Sequence, residues 1–206
     1  MVGNLNYSYD ERYFVDVSYR MDGSSLYGSD RRFAGFWAAG IGWNIHQEKF
    51  METLSFVNRL KLRGSLGETG SNNFSSYESL ATYKYVLNDR YYQWTGAKMQ
   101  ALPNPDLEWQ KTMKCDVGLD MNLFNNRLSI VADFYLEKTR GLMSSLELPA
   151  SNGFPSYKAN IGELENRGFE LRATYYVLRD TERRLIWTVT GALVHNLSLI
   201  HISEPT

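Results

Sequence analysis

The chain has 206 residues, of which 43% are hydrophobic and 22% are charged, and its formal net charge is −1 at pH 7. Because its Lys and Arg residues are scattered, it lacks the basic field that nucleic-acid binding requires, so we expect no nucleic-acid partner. The single cysteine, Cys115, excludes an internal disulfide framework and a cysteine-based zinc site, and the absence of a long apolar run excludes a transmembrane helix.

Apolar and polar residues alternate along eight stretches, and this period of two predicts β-strands. The predicted strands cover residues 3–9, 13–21, 33–43, 58–67, 108–123, 128–139, 162–176 and 185–196. The clearest is 58–67, where leucines take one face while Arg59, Lys61 and Arg63 take the other. Tyr, Phe and Trp together form 14% of the chain, a fraction that suits strands better than helices. We therefore predict an all-β fold.

The connections between the predicted strands alternate between short and long. Residues 10–12, 124–127 and 177–184 form short connections, residues 44–57 form an intermediate one that could hold a helical turn, and residues 22–32, 68–107 and 141–161 form long ones. In an antiparallel up-and-down sheet, this puts the long loops at one edge and the short turns at the other. Outer-membrane barrels have this polarity, with short periplasmic turns and long extracellular loops. The pattern predicts part of a transmembrane β-barrel, about eight strands of an incomplete and open wall.

Aromatic residues gather where the predicted strands meet the short turns. This group comprises Tyr9, Tyr13, Trp43, Tyr175 and Trp187. A ring of amphipathic side chains at one level is typical of a membrane interface, so we predict an aromatic girdle here. The alternative is a soluble two-layer β-sandwich, such as a carbohydrate-binding module, in which the same aromatics lie in the core.

A second set of aromatic residues falls in the longest predicted loop, residues 68–107. It comprises Tyr77, Tyr83, Tyr85, Tyr91, Tyr92 and Trp94. Such rings can stack on sugars or anchor a partner protein, which makes these residues candidates for contact with substrate or partner. The alternative is that they pack the loop against itself.

No pattern in the sequence indicates catalysis, a metal site or a cofactor. His46 and His195 are far apart, and neither is accompanied by the carboxylates or cysteine of a metal set or a triad. Charged pairs such as Asp116 and Asp120 alternate along polar strand faces, as residues of a water-facing barrel wall do. We predict that the chain is not an enzyme and has no catalytic, metal-binding or cofactor-binding residues.

Several short segments carry a family resemblance when they are taken in order. They are Asn6-Tyr7-Ser8-Tyr9, Tyr19-Arg20-Met21-Asp22-Gly23-Ser24-Ser25 with Phe33 following, Gly42-Trp43-Asn44-Ile45, Leu60-Lys61-Leu62-Arg63-Gly64-Ser65-Leu66-Gly67-Glu68-Thr69-Gly70-Ser71-Asn72, Asn104-Pro105-Asp106-Leu107-Glu108-Trp109-Gln110-Lys111-Thr112, Val117-Gly118-Leu119-Asp120, Asp133-Phe134-Tyr135 and Asn160-Ile161-Gly162-Glu163-Leu164-Glu165-Asn166-Arg167-Gly168-Phe169-Glu170-Leu171. In this order and spacing, the chain resembles the C-terminal half of SusC/RagA-type TonB-dependent outer-membrane transporters of Bacteroidetes.

The resemblance implies a function and a set of partners. It implies a barrel wall in the outer membrane, in contact with lipid, that imports oligosaccharides or peptides. A SusD-like lipoprotein would cover the long loops, and the TonB complex would act through a plug that we expect to be missing before Met1, together with the signal peptide. Transporters of this kind have about 22 strands, so residues 1–196 are expected to form only part of a barrel.

The last ten residues, 197–206, depart from the family pattern. Their sequence, Leu-Ser-Leu-Ile-His-Ile-Ser-Glu-Pro-Thr, resembles the translation of a transposase sequencing adapter. We therefore expect this tail to be non-native, and His201 is not considered as a site residue.

Overall fold

Ten strands account for most of the computed structural model, which describes residues 1–25, 32–71, 79–180 and 185–202. The strands are β1 Val2–Tyr9, β2 Tyr13–Gly23, β3 Phe33–Asn44, β4 Val57–Ser71, β5 Thr82–Tyr91, β6 Trp94–Ala101, β7 Gln110–Leu123, β8 Leu128–Glu147, β9 Ser156–Asp180 and β10 Leu185–Ile202. Short 3₁₀ turns cover Ile45–Gln47, Lys49–Met51 and Ala150–Asn152. Within these ranges, no helix is long and apolar enough to cross a membrane.

Eight of the strands form one antiparallel sheet in the order β1-β2-β3-β4-β7-β8-β9-β10. Each strand pairs with the next sheet strand along the chain, and the sheet is open, with β1 and β10 at its edges. This confirms the predicted all-β, up-and-down, incomplete wall. The predicted helical turn between β3 and β4 is also confirmed, by the 3₁₀ turns at Ile45–Gln47 and Lys49–Met51.

Two regions that the sequence assigned to loops contain strands. Residues 82–101 form a separate hairpin of β5 and β6, and β8 and β9 extend through most of residues 141–161, leaving only 148–155 to connect them. The extension escaped the period-two analysis because the register of β8 against β9 shifts on both sides of Leu142. Gly141 lies at this bulge with φ at +69°, a conformation that glycine adopts without strain.

The pairing register sorts the side chains of the eight-stranded sheet into an apolar face and a polar face. One row of paired residues on the apolar face contains Tyr7, Val15, Ile41, Gly64, Val117, Phe134, Phe169 and His195. The adjacent row on the polar face contains Ser8, Phe14, Gly42, Arg63, Gly118, Asp133, Glu170 and Val194. The faces predicted for residues 58–67 are therefore correct, and the register extends them to the neighbouring strands.

No second layer covers the apolar face in the described part of the chain. Ile41 is 66% exposed and Phe134 is 54% exposed, and the buried hydrophobic residues are Phe36 and Leu107, which lie elsewhere. The hairpin of β5 and β6 packs mainly within itself. The alternative of a two-layer β-sandwich is therefore wrong, because such a fold would bury this face in a core.

The apolar residues form a belt that runs diagonally across the strands. On β2 the belt covers residues 13–21, on β4 it covers 60–66 and on β8 it covers 128–136, where it gives way to Lys138. When the pairing is followed from strand to strand, the row that starts at Tyr13, at the short-turn end of β2, reaches Ala132, in the middle of the belt on β8. A belt of constant height that crosses the strands obliquely indicates tilted strands, as barrel closure requires.

The belt has the height of a bilayer core. Along β8 it is nine residues long, from 128 to 136, and a rise of about 3.3 Å per residue on a strand tilted by about 40° gives roughly 20–25 Å. This agrees with the outward-facing apolar band of outer-membrane barrels, which is about 25 Å tall.

Strand β10 continues through part of the tail that the sequence analysis attributes to an adapter. Leu197 pairs with Arg167, and Ile202 pairs with Gly162. This pairing does not test where the tail comes from, and its non-native origin stays a prediction.

Opposite faces of β4 should respond differently to substitution. In the full-length protein in a lipid bilayer, Leu62→Arg should lower the free energy of unfolding by about 2–4 kcal/mol, because Leu62 lies near the middle of the belt on β4. Lys61→Leu, on the polar face, should have a small effect. Equilibrium unfolding in vesicles measures both, and equal losses at the two positions would contradict the assigned faces.

Candidate functional site

Three residues of the predicted aromatic girdle lie side by side at the short-turn end of the apolar face. Tyr9 pairs with Tyr13, and Tyr13 pairs with Trp43. The rings of Tyr13 and Trp43 are stacked, with their centroids 6.3 Å apart. Tyr175 lies on the same face of β9, opposite Leu128 at the start of β8. These four residues share the apolar face and lie at the short-turn ends of their strands.

The fifth predicted girdle residue, Trp187, does not follow the same alternation. The register shifts between Trp187 and Thr188. Thr188 pairs with Tyr176, but Trp187 pairs with Leu178 and not with Val177. Trp187 is 60% exposed at the short-turn end of β10. The register therefore does not align it with Tyr175, and the role of all five residues at a membrane interface stays a prediction.

A carboxylate that the sequence analysis missed holds the girdle in place. Oε1 of Glu48 accepts hydrogen bonds from the Tyr13 hydroxyl at 2.6 Å and from Trp43 Nε1 at 3.1 Å, and its Oε2 lies 3.8 Å from Arg12 Nη1. The bonds from Tyr13 and Trp43 hold the pKa of Glu48 below its ordinary value. Glu48 lies between the two 3₁₀ turns after β3, so this connection is fastened to the girdle.

On the polar face, one arginine spans three strands. Arg63 Nη2 on β4 lies 3.2 Å from Asp120 Oδ1 on β7 and 2.6 Å from Asp133 Oδ1 on β8. Gly118 lies between them on β7, and a Cβ atom there would lie 2.6 Å from Asp133 Oδ1 and 2.8 Å from Arg63 Cζ. The missing side chain at Gly118 is what allows the guanidinium to cross β7.

Other polar pairs continue this wall. Ser65 Oγ donates to Asp116 Oδ2 at 3.3 Å, Lys114 Nζ lies 2.6 Å from Glu137 Oε1, and the hydroxyls of Thr112 and Thr139 are 2.9 Å apart. Asp116 and Asp120, which the sequence analysis considered as a carboxylate pair, are thus engaged by different partners. These contacts fit a polar wall between strands rather than an acid and base held around one reacting atom.

Charged pairs mark where the apolar belt ends on the long-loop side. Lys111 Nζ lies 3.0 Å from Glu68 Oε1, and Lys138 Nζ lies 3.3 Å from Glu163 Oε2. By register these residues continue the apolar face beyond the belt. Cys115 lies within the belt, between Leu66 and Leu136 in its row, where a free cysteine behaves as a small apolar side chain.

At the long-loop end, two asparagines clamp the segment that leads into β7. The side-chain amide of Asn160 donates to the carbonyl oxygens of Glu108 at 3.0 Å and Gly141 at 2.7 Å, and its Oδ1 accepts the Glu108 N–H at 3.1 Å. Asn104 donates to the Lys158 carbonyl at 2.7 Å and accepts the Asp106 N–H at 3.0 Å.

The clamp is completed by a small apolar core. Leu107 is fully buried, and the ring of Trp109 packs edge-on against that of Phe36 with centroids 5.6 Å apart. The resemblance segment Asn104–Trp109 thus fixes the base of the long insertion to the sheet. The segment carries part of the family resemblance, and its contacts to the sheet depend on residues that are distant in the chain.

The candidate contact residues lie on or near the hairpin of β5 and β6. Tyr83 and Tyr85 share one face of β5 and are 61% and 72% exposed, while Tyr92 and Trp94, at the turn and the start of β6, are 87% and 77% exposed. Tyr77 and the side chain of Tyr91 lie outside the described residues. The structure places four of the six residues on or beside one hairpin with exposed side chains, and their contact with a substrate or partner stays a prediction.

A family model described as TonB dependent receptor-like, beta-barrel matches residues 2–200. TonB-dependent receptor P39 of Formosa agariphila is 35% identical over 196 residues, which cover 95% of this chain and 18% of that protein. TonB-dependent receptor SusC of Bacteroides thetaiotaomicron is 33% identical over 199 residues, which cover 91% of this chain and 20% of that protein. The chain thus spans about a fifth of the length of these relatives.

Solved structures give the same result at the level of the fold. The RagAB peptide transporter superposes with a TM-score of 0.83 and 28% sequence identity, covering 98% of this chain and 22% of that chain. The RagAB peptide importer in its 'open-open' state also superposes with a TM-score of 0.83. The relatives are receptors and transporters, which confirms the prediction that the chain is not an enzyme.

Removing the Asn160 amide should loosen the base of the long insertion. We expect Asn160→Ala in the full-length protein to raise amide hydrogen exchange in residues 104–109 and in the hairpin, with a local cost of about 1–3 kcal/mol for the lost bonds. The control is Asn58→Ala, which removes one acceptor for the Asn126 N–H at the opposite end of the sheet. Unchanged exchange in the hairpin of Asn160→Ala would show that Asn160 does not hold it.

The Glu48 contacts predict a pH dependence. Because the folded state lowers the pKa of Glu48, its stabilising contribution should be fully present above the ordinary glutamate pKa of about 4.3 and should be lost as the pH falls from there through the lower folded-state pKa. The difference in unfolding midpoint between wild type and Glu48→Gln should shrink over this range. Glu52→Gln, later in the same connection, is the control, and a difference that stays constant with pH would refute the role of Glu48.

Proposed function

The chain belongs to the TonB-dependent receptor β-barrel family, as a SusC/RagA-type barrel segment of the outer membrane, and from this we propose that it forms part of the wall of an outer-membrane importer. The observation that supports the proposal is the segregation of the eight-stranded sheet into an apolar belt and a polar wall. A sheet with one face in lipid and one face toward a wet interior needs this arrangement.

The polar face is evidence for a water-filled passage through which polar substrates move. Arg63, Lys114 and Asp133 all lie on this face and engage neighbouring strands rather than projecting alone. In the complete protein, we propose that this face lines the lumen and that the rest of the chain closes the barrel between the edges of β1 and β10. Closure is required because an unpaired strand edge in lipid leaves backbone groups without partners.

We propose oligosaccharides or peptides as the imported substrates. The curated relative is SusC, and the solved relatives are described as a peptide transporter and a peptide importer. The energy would come from the TonB complex, as the family name states, acting on a part of the protein outside this chain.

We further propose that a SusD-like surface lipoprotein contacts the β5–β6 hairpin. The hairpin pairs only within itself in its two-stranded sheet, and it exposes Tyr83, Tyr85, Leu87 and Trp94. An isolated two-stranded hairpin is marginally stable in water, and exposed aromatic side chains are typical anchors of protein interfaces. Both properties favour a hairpin that is ordered by a partner.

Uptake tests the import and the hairpin together. The full-length gene, expressed in the outer membrane of a host that lacks its own copy, should allow uptake of fluorescent oligosaccharides or peptides, and a protonophore should abolish it. Tyr83→Ala with Tyr85→Ala should lower uptake and co-purification of the lipoprotein about tenfold or more, since buried aromatic anchors carry much of an interface.

Lys84→Ala, on the opposite face of β5, is the matched control and should leave uptake and co-purification unchanged. Uptake that persists in the presence of the protonophore would contradict an energised importer. Full co-purification with the double variant would show that the hairpin is not part of the partner interface. It would not contradict the proposed import.

A further inference from the structure

The sheet is split at its long-loop end, between β3 and β4. The last pair of these two strands is Ala38 with Gly67. Beyond this pair, residues 33–37 of β3 still pair with β2, and residues 68–71 of β4 still pair with β7. In the described structure these two segments do not pair with each other. The gap between residues 33–37 and 68–71, which we call the seam, therefore has no backbone ladder.

The seam lies outside the apolar belt. On β4 the belt ends at Leu66, and the next residue of the same face is Glu68, which forms an ion pair with Lys111 at 3.0 Å. Within the belt, strands must stay paired because hydrocarbon cannot hydrate their backbone groups. Beyond the belt, water can satisfy separated strand edges. The two strands can therefore part at the seam without breaking the wall below it.

One aromatic ring closes the seam from the polar face. Phe36, on the same face of β3 as Gly42, is only 3% exposed. Its ring lies against Gly70 of β4, where a Cβ atom would overlap Cζ of the ring. Gly70 thus leaves the space that the ring occupies. Phe36 joins by side-chain packing two strands that no longer share hydrogen bonds at this level.

The segment that leads into β7 packs against this ring. The rings of Trp109 and Phe36 meet edge-on with their centroids 5.6 Å apart, and Leu107, two residues earlier, is fully buried. From the other side, Arg20 Cζ of β2 lies 5.8 Å from the centroid of the Phe36 ring. Phe36 is therefore enclosed by a residue of the neighbouring strand and by the base of the long insertion.

The base of the insertion is attached differently to the two sides of the seam. On the side of β9, Asn104 donates to the Lys158 carbonyl oxygen, and Asn160 bonds both backbone groups of Glu108. On the side of β3, the attachment is the packing of Trp109 on one ring. Loss of that single contact would free the insertion from β3 while its hydrogen bonds still hold it to β9.

We propose that the seam is a hinge and that Phe36 is its latch. With the latch closed, as in this structure, the insertion is held against β3. When the ring leaves the space at Gly70, the insertion moves with β4 and β9 away from the part of the sheet that β1, β2 and β3 form. Ala38 and Gly67 are the pivot, since small residues in close contact commonly form hinges. The proposal goes beyond import, because it concerns two positions of the insertion and holds for any substrate.

The distance between two spin labels in the full-length protein tests the hinge. One label is attached at Lys98, which is exposed on β6, and the other at Gly3 on β1, where a Cβ atom meets nothing within 4 Å. Cys115 and any other native cysteine are replaced by alanine. Double electron–electron resonance in lipid nanodiscs then measures how far the insertion lies from β1.

Phe36→Ala should raise the population of longer distances about tenfold or more, because the open position of such a hinge is a minor state in the wild type. Gly70→Ala should act in the same direction, since its Cβ atom displaces the ring. Two matched controls should keep the wild-type distances. Phe14→Ala removes a ring from the polar face at the short-turn end, and Gly64→Ala adds a Cβ atom to β4 at an ordinary 3.5 Å from Ile41 Cγ1.

Wild-type distances in folded Phe36→Ala and Gly70→Ala overturn the proposal, and so does an equal shift in the two controls. Hydrogen exchange of the same samples gives a further criterion. If residues 38–44 and 61–67 lose protection together with the seam, the wall itself opens and Phe36 is no latch. Should Phe36→Ala not fold, Phe36→Leu takes its place and should give a smaller shift in the same direction, and an unchanged distribution in that variant also overturns the hinge.

Discussion

A strand that passes through hydrocarbon has no water to satisfy its backbone, and this constraint governs the whole sheet. Each of the six interior strands of the eight-stranded sheet is paired on both sides, so its backbone groups are bonded to neighbouring strands and only the side chains meet the surroundings. Successive side chains then point to opposite faces, and the long, nearly uninterrupted registers keep the apolar belt continuous from β1 to β10. In the described residues, the outer edges of β1 and β10 have no partner strand over their whole length, and so the constraint is not yet met there.

The same constraint explains how the polar face carries charge without breaking the wall. Long polar side chains lie across neighbouring strands, and glycines provide the space. Arg63 reaches Asp133 across Gly118, and the ring of Tyr135 lies against Gly168, where a Cβ atom would be 2.6 Å from the tyrosine hydroxyl oxygen. On the apolar face, by contrast, the ion pairs of Lys111 with Glu68 and of Lys138 with Glu163 begin only beyond the belt, because a charge within the belt would face hydrocarbon.

The sequence predicted the features that repeat along the chain and missed those that depend on a single distant contact. Alternation predicted all eight strands of the sheet and the faces of the most regular ones, such as residues 58–67, because the belt imposes the same pattern on each. It missed the continuation of β8 and β9, where the bulge at Gly141 shifts the phase, and the β5–β6 hairpin, whose strands do not share the belt. The contacts of Glu48 and Asn160 could not be predicted from local sequence, since their partners lie up to 35 and 52 residues away in the chain.

The two ends of the sheet are fastened by different chemistry, and this difference bears on function. At the short-turn end, Glu48 joins its connection directly to the rings of Tyr13 and Trp43, so this end is tied to the belt itself. At the long-loop end, Asn104 and Asn160 fix only the base of the insertion, through bonds to the backbone of the sheet and the buried Leu107. The hairpin beyond this base has no extensive contact with another described strand. The clamp therefore fixes the base of the insertion, while the hairpin beyond it is held mainly by its own strand pairing, and a loop of this kind can move without disturbing the wall.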